Sequence, residues 1–156
     1  MKIIAVIEKI LTVIVAILGI ALVSTVTLQI LGRYILYRPY FWTEELSRFI
    51  FVAIIALGAP LAVRTNQFIR LDAFYMLLPV EKRKILIPVL NLLVAIFLFV
   101  VAYNAISLIR VGYLQKSAVL RIPMAYPFST TMIGPLLAGI FFIDDAINIR
   151  RDRKEV

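Results

Sequence analysis

The sequence predicts an all-α membrane protein with four transmembrane helices and an interfacial amphipathic helix between the second and the third. Three observations carry that prediction. Of 156 residues, 63% are hydrophobic and the mean hydropathy is +1.00, whereas an ordinary soluble domain is roughly half apolar. Four apolar stretches each approach or exceed the roughly 20 residues a helix needs to cross the hydrocarbon core. The basic residues, which bring the net charge to +8 and the pI to about 10.1, fall between those stretches and not on a polar face. They therefore speak for lipid headgroups and topology, not nucleic acid. The whole chain, 1–156, reads as a single membrane domain.

Helix 1 is placed at about 3–33, because residues 10–32 form an uncharged run of about 23 residues, longer than a signal-peptide core and followed by no small-x-small cleavage site. Helix 2 is placed at about 43–64, with Thr43 as a candidate N-cap and Pro60 expected to kink its last turns. Residues 49–63 supply only about 15 uncharged positions, so the charged cluster before them has to be counted into the span. An interfacial helix is expected at about 67–78. There Phe68, Leu71, Phe74, Tyr75 and Leu78 recur at helical spacing, Arg70 and Asp72 fall off that stripe, and Pro79 ends it. The competing reading is a hydrophobic loop pressed on the bundle. Helix 3 is placed at about 84–110, entered through Glu81-Lys82-Arg83-Lys84 and left through Arg110. Helix 4 is placed at about 122–147. Pro123 and Pro127 stand near its start and Gly134-Pro135 inside it, which predicts a bend or a local break.

Four crossings put both termini on one side, and the distribution of Lys and Arg orients the chain. Lys2, Lys9, Arg64, Arg70, Lys82, Arg83, Lys84, Arg150, Arg151, Arg153 and Lys154 lie on the terminal side, against Arg33, Arg38, Arg48, Arg110, Lys116 and Arg121 opposite. Both termini are expected in the cytoplasm. The 42–48 cluster and the loop around Lys116 then face outward, or into the periplasm.

That cluster, Phe41-Trp42-Thr43-Glu44-Glu45-Leu46-Ser47-Arg48-Phe49, is the candidate site. An ionisable group inside the membrane costs on the order of 2.5–3.5 kcal/mol on insertion scales, so it persists where a partner compensates it. Glu44 precedes Arg48 by four residues, the favourable direction for a helical ion pair, and Glu45 with Arg48 is the three-residue alternative. A plainer account is that acids suit a helix N-terminus while Trp42 anchors at the headgroups. It leaves Arg48 a full turn deeper without an explanation. Gln29 and Arg33, one turn apart at the end of helix 1, can meet Glu44 or Glu45; a helix C-terminus also favours a cation such as Arg33 without any partner. Gln29, Arg33, Trp42, Glu44, Glu45 and Arg48 together read as a subunit-assembly cluster.

Other polar positions point to structure. Ser129-Thr130-Thr131 near the helix 4 prolines has the ingredients of a discontinuous ion-binding helix, but no intramembrane carboxylate accompanies it, and a Ser/Thr-supported kink is the commoner outcome. Asp144 and Asp145 are adjacent, so their side chains diverge; they read as solvated and not as a metal pair. Asn91 and Asn104 read as interhelical hydrogen-bond donors. Without cysteine or histidine, the chain lacks a thiol nucleophile, a disulfide and the commonest haem ligand, zinc ligand and general base. It is expected to be no enzyme and to hold no cofactor or metal. Paired broken helices with polar midplanes, the mark of a self-sufficient transporter, are missing too, so the chain is expected to work inside a larger complex.

Taken together, these residues resemble the small membrane subunit, of DctQ type, of the tripartite ATP-independent periplasmic (TRAP) transporters. The resemblance covers nearly the whole chain: four helices, Gln29-Ile30-Leu31-Gly32-Arg33-Tyr34 closing helix 1, Trp42-Thr43-Glu44-Glu45-Leu46-Ser47-Arg48-Phe49 opening helix 2, then Ile69-Arg70-Leu71-Asp72 and Leu120-Arg121-Ile122-Pro123. Two departures stand out. Gln67-Phe68 occupies a place where the family often has a histidine, and the proline within helix 4 is offset. The resemblance implies a secondary uptake system of the bacterial or archaeal inner (plasma) membrane, sodium-coupled and of elevator type. A large polytopic subunit would hold the sodium and substrate sites and a periplasmic binding protein would deliver an organic acid. This chain would be the scaffold, with membrane lipid as a further partner. Arg110, Lys116 and Arg121 are then candidates for steering an acidic periplasmic partner. A rival, a homo-oligomeric four-helix exporter, calls for an acid deep in helix 1, and Glu8 lies near the edge. A haem-binding membrane anchor calls for histidines.

Overall fold

The computed structural model describes residues 2–35, 37–38, 40–64 and 80–151, with side chains placed for 4–35, 37–38, 40–63 and 86–147. Among the described residues four helices carry the fold: α1 (Lys2–Tyr34), α2 (Phe41–Arg64), α3 (Val80–Leu114) and α4 (Ala125–Arg151). Each contains a segment long and apolar enough to cross a membrane: Ile4–Tyr34, Phe41–Val63, Leu86–Leu114 and Ala125–Ile147. Among the described residues no strand forms, and one isolated bridge joins Lys116 to Pro123. The interfacial helix expected at 67–78, with Phe68, Arg70, Leu71, Asp72, Phe74, Tyr75 and Leu78, lies outside the described residues.

The helices neighbour one another in the order α1, α2, α4, α3, and the α3–α4 pair packs most extensively. Small residues on α4 make its central place possible. A Cβ at Gly134 would collide with the Ala56 carbonyl of α2, and one at Gly139 would sit 3.1 Å from the Phe99 ring of α3. Toward the end that carries the termini, Leu11 of α1, Val63 of α2 and Phe141 of α4 form a buried cluster with Ile7, Leu57 and Leu137 around it. A polar tie adds to the α3–α4 seam: buried Asn91 donates from Nδ2 to Asp145 Oδ2 at 3.1 Å. Asp145 is thus bonded across helices and not simply solvated. Asn104 differs from expectation in the opposite sense. Its Nδ2 donates to Val100 O of its own helix at 2.8 Å from an exposed position.

Helix boundaries also differ from the sequence reading. α2 begins at Phe41, and Thr43 is not its N-cap: its backbone N–H and its hydroxyl both donate back to Tyr40 O, at 3.1 and 2.6 Å, which sets Thr43 inside the first turn and wholly buried. α3 starts at Val80 and takes in Glu81 to Lys84, good helix formers all, and it continues past Arg110 to Leu114. α4 starts at Ala125 and not at 122, because Pro123 disfavours the helical conformation at the residue before it. Residues 115–124 instead form a tight antiparallel turn, in which Ser117 N–H donates to Ile122 O and Met124 N–H to Gln115 O, both at 2.9 Å. Pro127 consequently falls in the first turn of α4, where its missing N–H has no helical acceptor to lose. α4 stays helical through Gly134-Pro135. The local break expected there is absent, with Gly134 packed tightly against α2 at that level.

Candidate functional site

Gln29, Arg33, Trp42, Glu44, Glu45 and Arg48 all lie at the end of the bundle opposite the termini. α1 closes there with Ile35 N–H donating to Leu31 O and Arg38 N–H to Gly32 O, both at 2.9 Å, and the chain reverses through Tyr37 at φ 50°. This reversal needs a glycine at position 32. A Cβ on Gly32 would come within 2.7 Å of the Tyr40 ring and 3.1 Å of Arg38 O, so the bare backbone admits the Tyr40 ring and draws the start of α2 against the end of α1.

The resulting crevice is a small cleft lined by Gln29, Arg33, Tyr40, Phe41 and Glu44. Gln29 and Arg33 thus share a cleft with Glu44, one of the two acids expected within their reach. Arg33 shares the cleft without an ion pair to Glu44 among the described residues. Glu44 leans along its own helix toward Arg48, whose Nη2 lies 3.5 Å from Glu44 Oε1. The side chains of Arg48 and Glu44 are 70% and 54% uncovered, so the pair faces away from the subunit. Around it, Tyr34, Tyr37, Phe41 and Trp42 are exposed, an arrangement of the kind that anchors at the headgroup level.

Glu45 points elsewhere. One residue further round the helix its side chain projects about 100° away, toward the turn between α3 and α4. Its Oε1 accepts from Ala118 N–H at 3.1 Å, and its Oε2 accepts from Val119 N–H at 3.0 Å and Leu120 N–H at 2.8 Å. Three successive amides aimed at one point make a concave anion site, and here the chain fills it with its own carboxylate. The Ser117 side chain beside these amides is buried, and Arg121 holds the turn's far side at φ 56°. Of the two ion-pair alternatives for Arg48, Glu44 is the one realised, and Glu45 serves instead as a clasp between α2 and the α3–α4 turn.

Arg110, Lys116 and Arg121 are all exposed at this same end, and Lys116 and Arg121 flank the turn that Glu45 holds. The groups missed in the sequence are the amides of Ala118, Val119 and Leu120, which no side-chain pattern announces. Among the described residues no three metal-ligating side chains gather. The arrangement comprises, among the described residues, an exposed ion pair and a carboxylate clasp between α2 and the α3–α4 turn.

Comparison with known proteins places these features in context. Residues 22–152 match the family described as tripartite ATP-independent periplasmic transporters, DctQ component. Over 134 residues the chain is 30% identical to the ectoine TRAP transporter small permease protein TeaB of Halomonas elongata, covering 83% of this chain and 69% of that one. It is 33% identical over 117 residues to the sialic acid TRAP transporter small permease protein SiaQ of Vibrio cholerae, covering 75% and 63%. It is 29% identical over 133 residues to the isethionate TRAP transporter permease protein DctMQ of Oleidesulfovibrio alaskensis, covering 80% of this chain but 21% of that one.

Proposed function

Since this chain belongs to the DctQ-component family of tripartite ATP-independent periplasmic transporters, a family of transporter components and not of enzymes, we propose that it is the subunit that braces the large transport subunit of a sodium-coupled uptake system for organic acids. The chain is a multi-pass inner-membrane protein. Relatives of its kind are small permease subunits, and in the DctMQ permease the matching region makes up 21% of one longer polypeptide. In this reading sodium and substrate bind the partner, this chain takes no cofactor, and both termini lie in the cytoplasm. The 110–121 region then faces the periplasm, where Arg110, Lys116 and Arg121 help dock an acidic face of the binding protein.

The observation that carries the bracing role is the Glu44–Arg48 pair. It sits in the first turns of a membrane-spanning helix and is turned outward. Charges in that position call for a partner that compensates them, and the chain's own helices leave them uncovered. Tagged chain co-expressed with its large permease subunit and extracted in mild detergent should carry down that much larger polytopic protein at a fixed ratio, as read by mass spectrometry. Recovery of self-oligomers alone would overturn the reading in favour of the homo-oligomeric exporter. Docking by the basic residues makes a separate prediction: association with the binding protein weakens as salt rises, because such steering is screened over about 10 Å at 0.1 M.

A further inference from the structure

Below the charged pair, the same side of α2 changes character without changing direction. Glu44, Arg48, Val52, Ile55 and Ala59 recur at intervals of three and four residues, which places them on one stripe of the helix. Val52, Ile55 and Ala59 form one wall of a largely apolar groove of about 370 Å³; Leu98 of α3 forms the other, and Thr131, Gly134, Pro135 and Ala138 of α4 lie between them. The bottom of the groove is built from small residues because α4 is set close to α2, with Gly134 against Ala56.

Acyl chains do not need such a surface. Elsewhere the molecule presents large aliphatic side chains outward, as α1 does with Ile17, Ile20 and Val23, uncovered by 60%, 70% and 66%. A depression whose floor carries Ala56, Gly134 and Ala138 lets another helix backbone come close, which is how membrane helices gain contact when lipid is as apolar as they are. The ion pair at the head of the same stripe adds a polar contact that an acyl chain cannot answer. We propose that this groove, together with the Glu44–Arg48 pair above it, is the seat of one transmembrane helix of the large transport subunit, and that this helix carries a polar or charged side chain at the level of Arg48. This rests on the reading of the chain as a subunit of a larger permease. It goes beyond that reading in naming the face, the helical form of the occupant and its chemistry.

The test uses the chain co-expressed with its tagged large subunit. Ala59→Trp fills the groove and should lower recovery of this chain on the tagged partner about tenfold, equivalent to about 1.4 kcal/mol, while Ile20→Trp on α1 leaves recovery unchanged. In otherwise native chains, a photoreactive benzoylphenylalanine at Ile55 should cross-link to the large subunit in membranes, and one at Ile20 should not. That measurement decides the matter even where Ala59→Trp folds poorly. Cross-linking from Ile55 to lipid alone, or to a second copy of this chain, overturns the proposal, as does undiminished recovery of a folded Ala59→Trp. If the unaltered chain fails to bind the large subunit at all, the reading of the chain as its partner falls first and the groove assignment falls with it.

Discussion

The block made by α2, α3 and α4 and the outlying helix α1 are assembled on different terms. In the block, backbones approach through glycine, Asn91 and Asp145 bond across a seam, and Glu45 holds a turn formed from the far end of the sequence. α1 packs mainly on α2 and shows aliphatic side chains along most of its length. Its own polar groups are spent locally: Thr12, Ser24 and Thr25 donate to carbonyls four residues back. In water both regions would have to be covered. In a bilayer, only the block needs specific internal contacts, because lipid satisfies an aliphatic surface without any geometry. On the proposed reading, small residues and an outward-facing ion pair, and not hydrophobicity, separate partner-facing surface from lipid-facing surface in this chain.

The sharpest break of that contrast comes from two glycines. Gly134→Val should drive a side chain into the Ala56 carbonyl and destabilise the α2–α4 contact by roughly 3 kcal/mol, enough to deplete folded protein. Gly19→Val on α1, where a Cβ meets nothing within 4 Å, should leave the yield of folded protein unchanged. Size-exclusion profiles of the two variants in the same detergent check this.

Next in size, Glu45→Ala should lower the thermal unfolding midpoint and speed hydrogen exchange of the Ala118, Val119 and Leu120 amides. Glu44→Ala should change neither, yet should reduce recovery of the large subunit. A smaller difference separates the two asparagines. Asn91→Ala should cost up to about 1.7 kcal/mol, the largest value measured for an interhelical hydrogen bond in a membrane protein, whereas Asn104→Ala should fall within about 0.5 kcal/mol of the parent. Ile20→Ala should have the least effect, within the same margin on stability and with none on partner recovery. Equal effects at Asn91 and Asn104, or at Glu44 and Glu45, would mean that the two kinds of surface are not distinct.

The four spans were legible because their signal is local: uncharged length and charge between runs. Asn91 could be read as a donor between helices for the same reason, since an amide in an apolar run has few other uses. Glu45 could not. Its neighbours in sequence offered Arg48 at a suitable spacing, while its actual donors are three backbone amides more than seventy residues away. Thr43 misled in a related way, because a threonine before two glutamates is what a capping residue looks like, and only the position of the Tyr40 carbonyl shows the helix already under way. The start of α4 was displaced by Pro123, whose effect on the residue before it competes with an apolar pattern that continues through 122.

The clasp between α2 and the distant turn also sets a timetable for biogenesis. Leu120 lies 75 residues beyond Glu45, and at synthesis rates of about 5–20 residues per second that separation lasts roughly 4–15 s. Throughout that interval the second helix carries a carboxylate whose amide donors have not been made. The start of α2 must wait at the aqueous edge of the bilayer, or be sheltered by the insertion machinery, until the third helix has crossed and the turn behind it arrives.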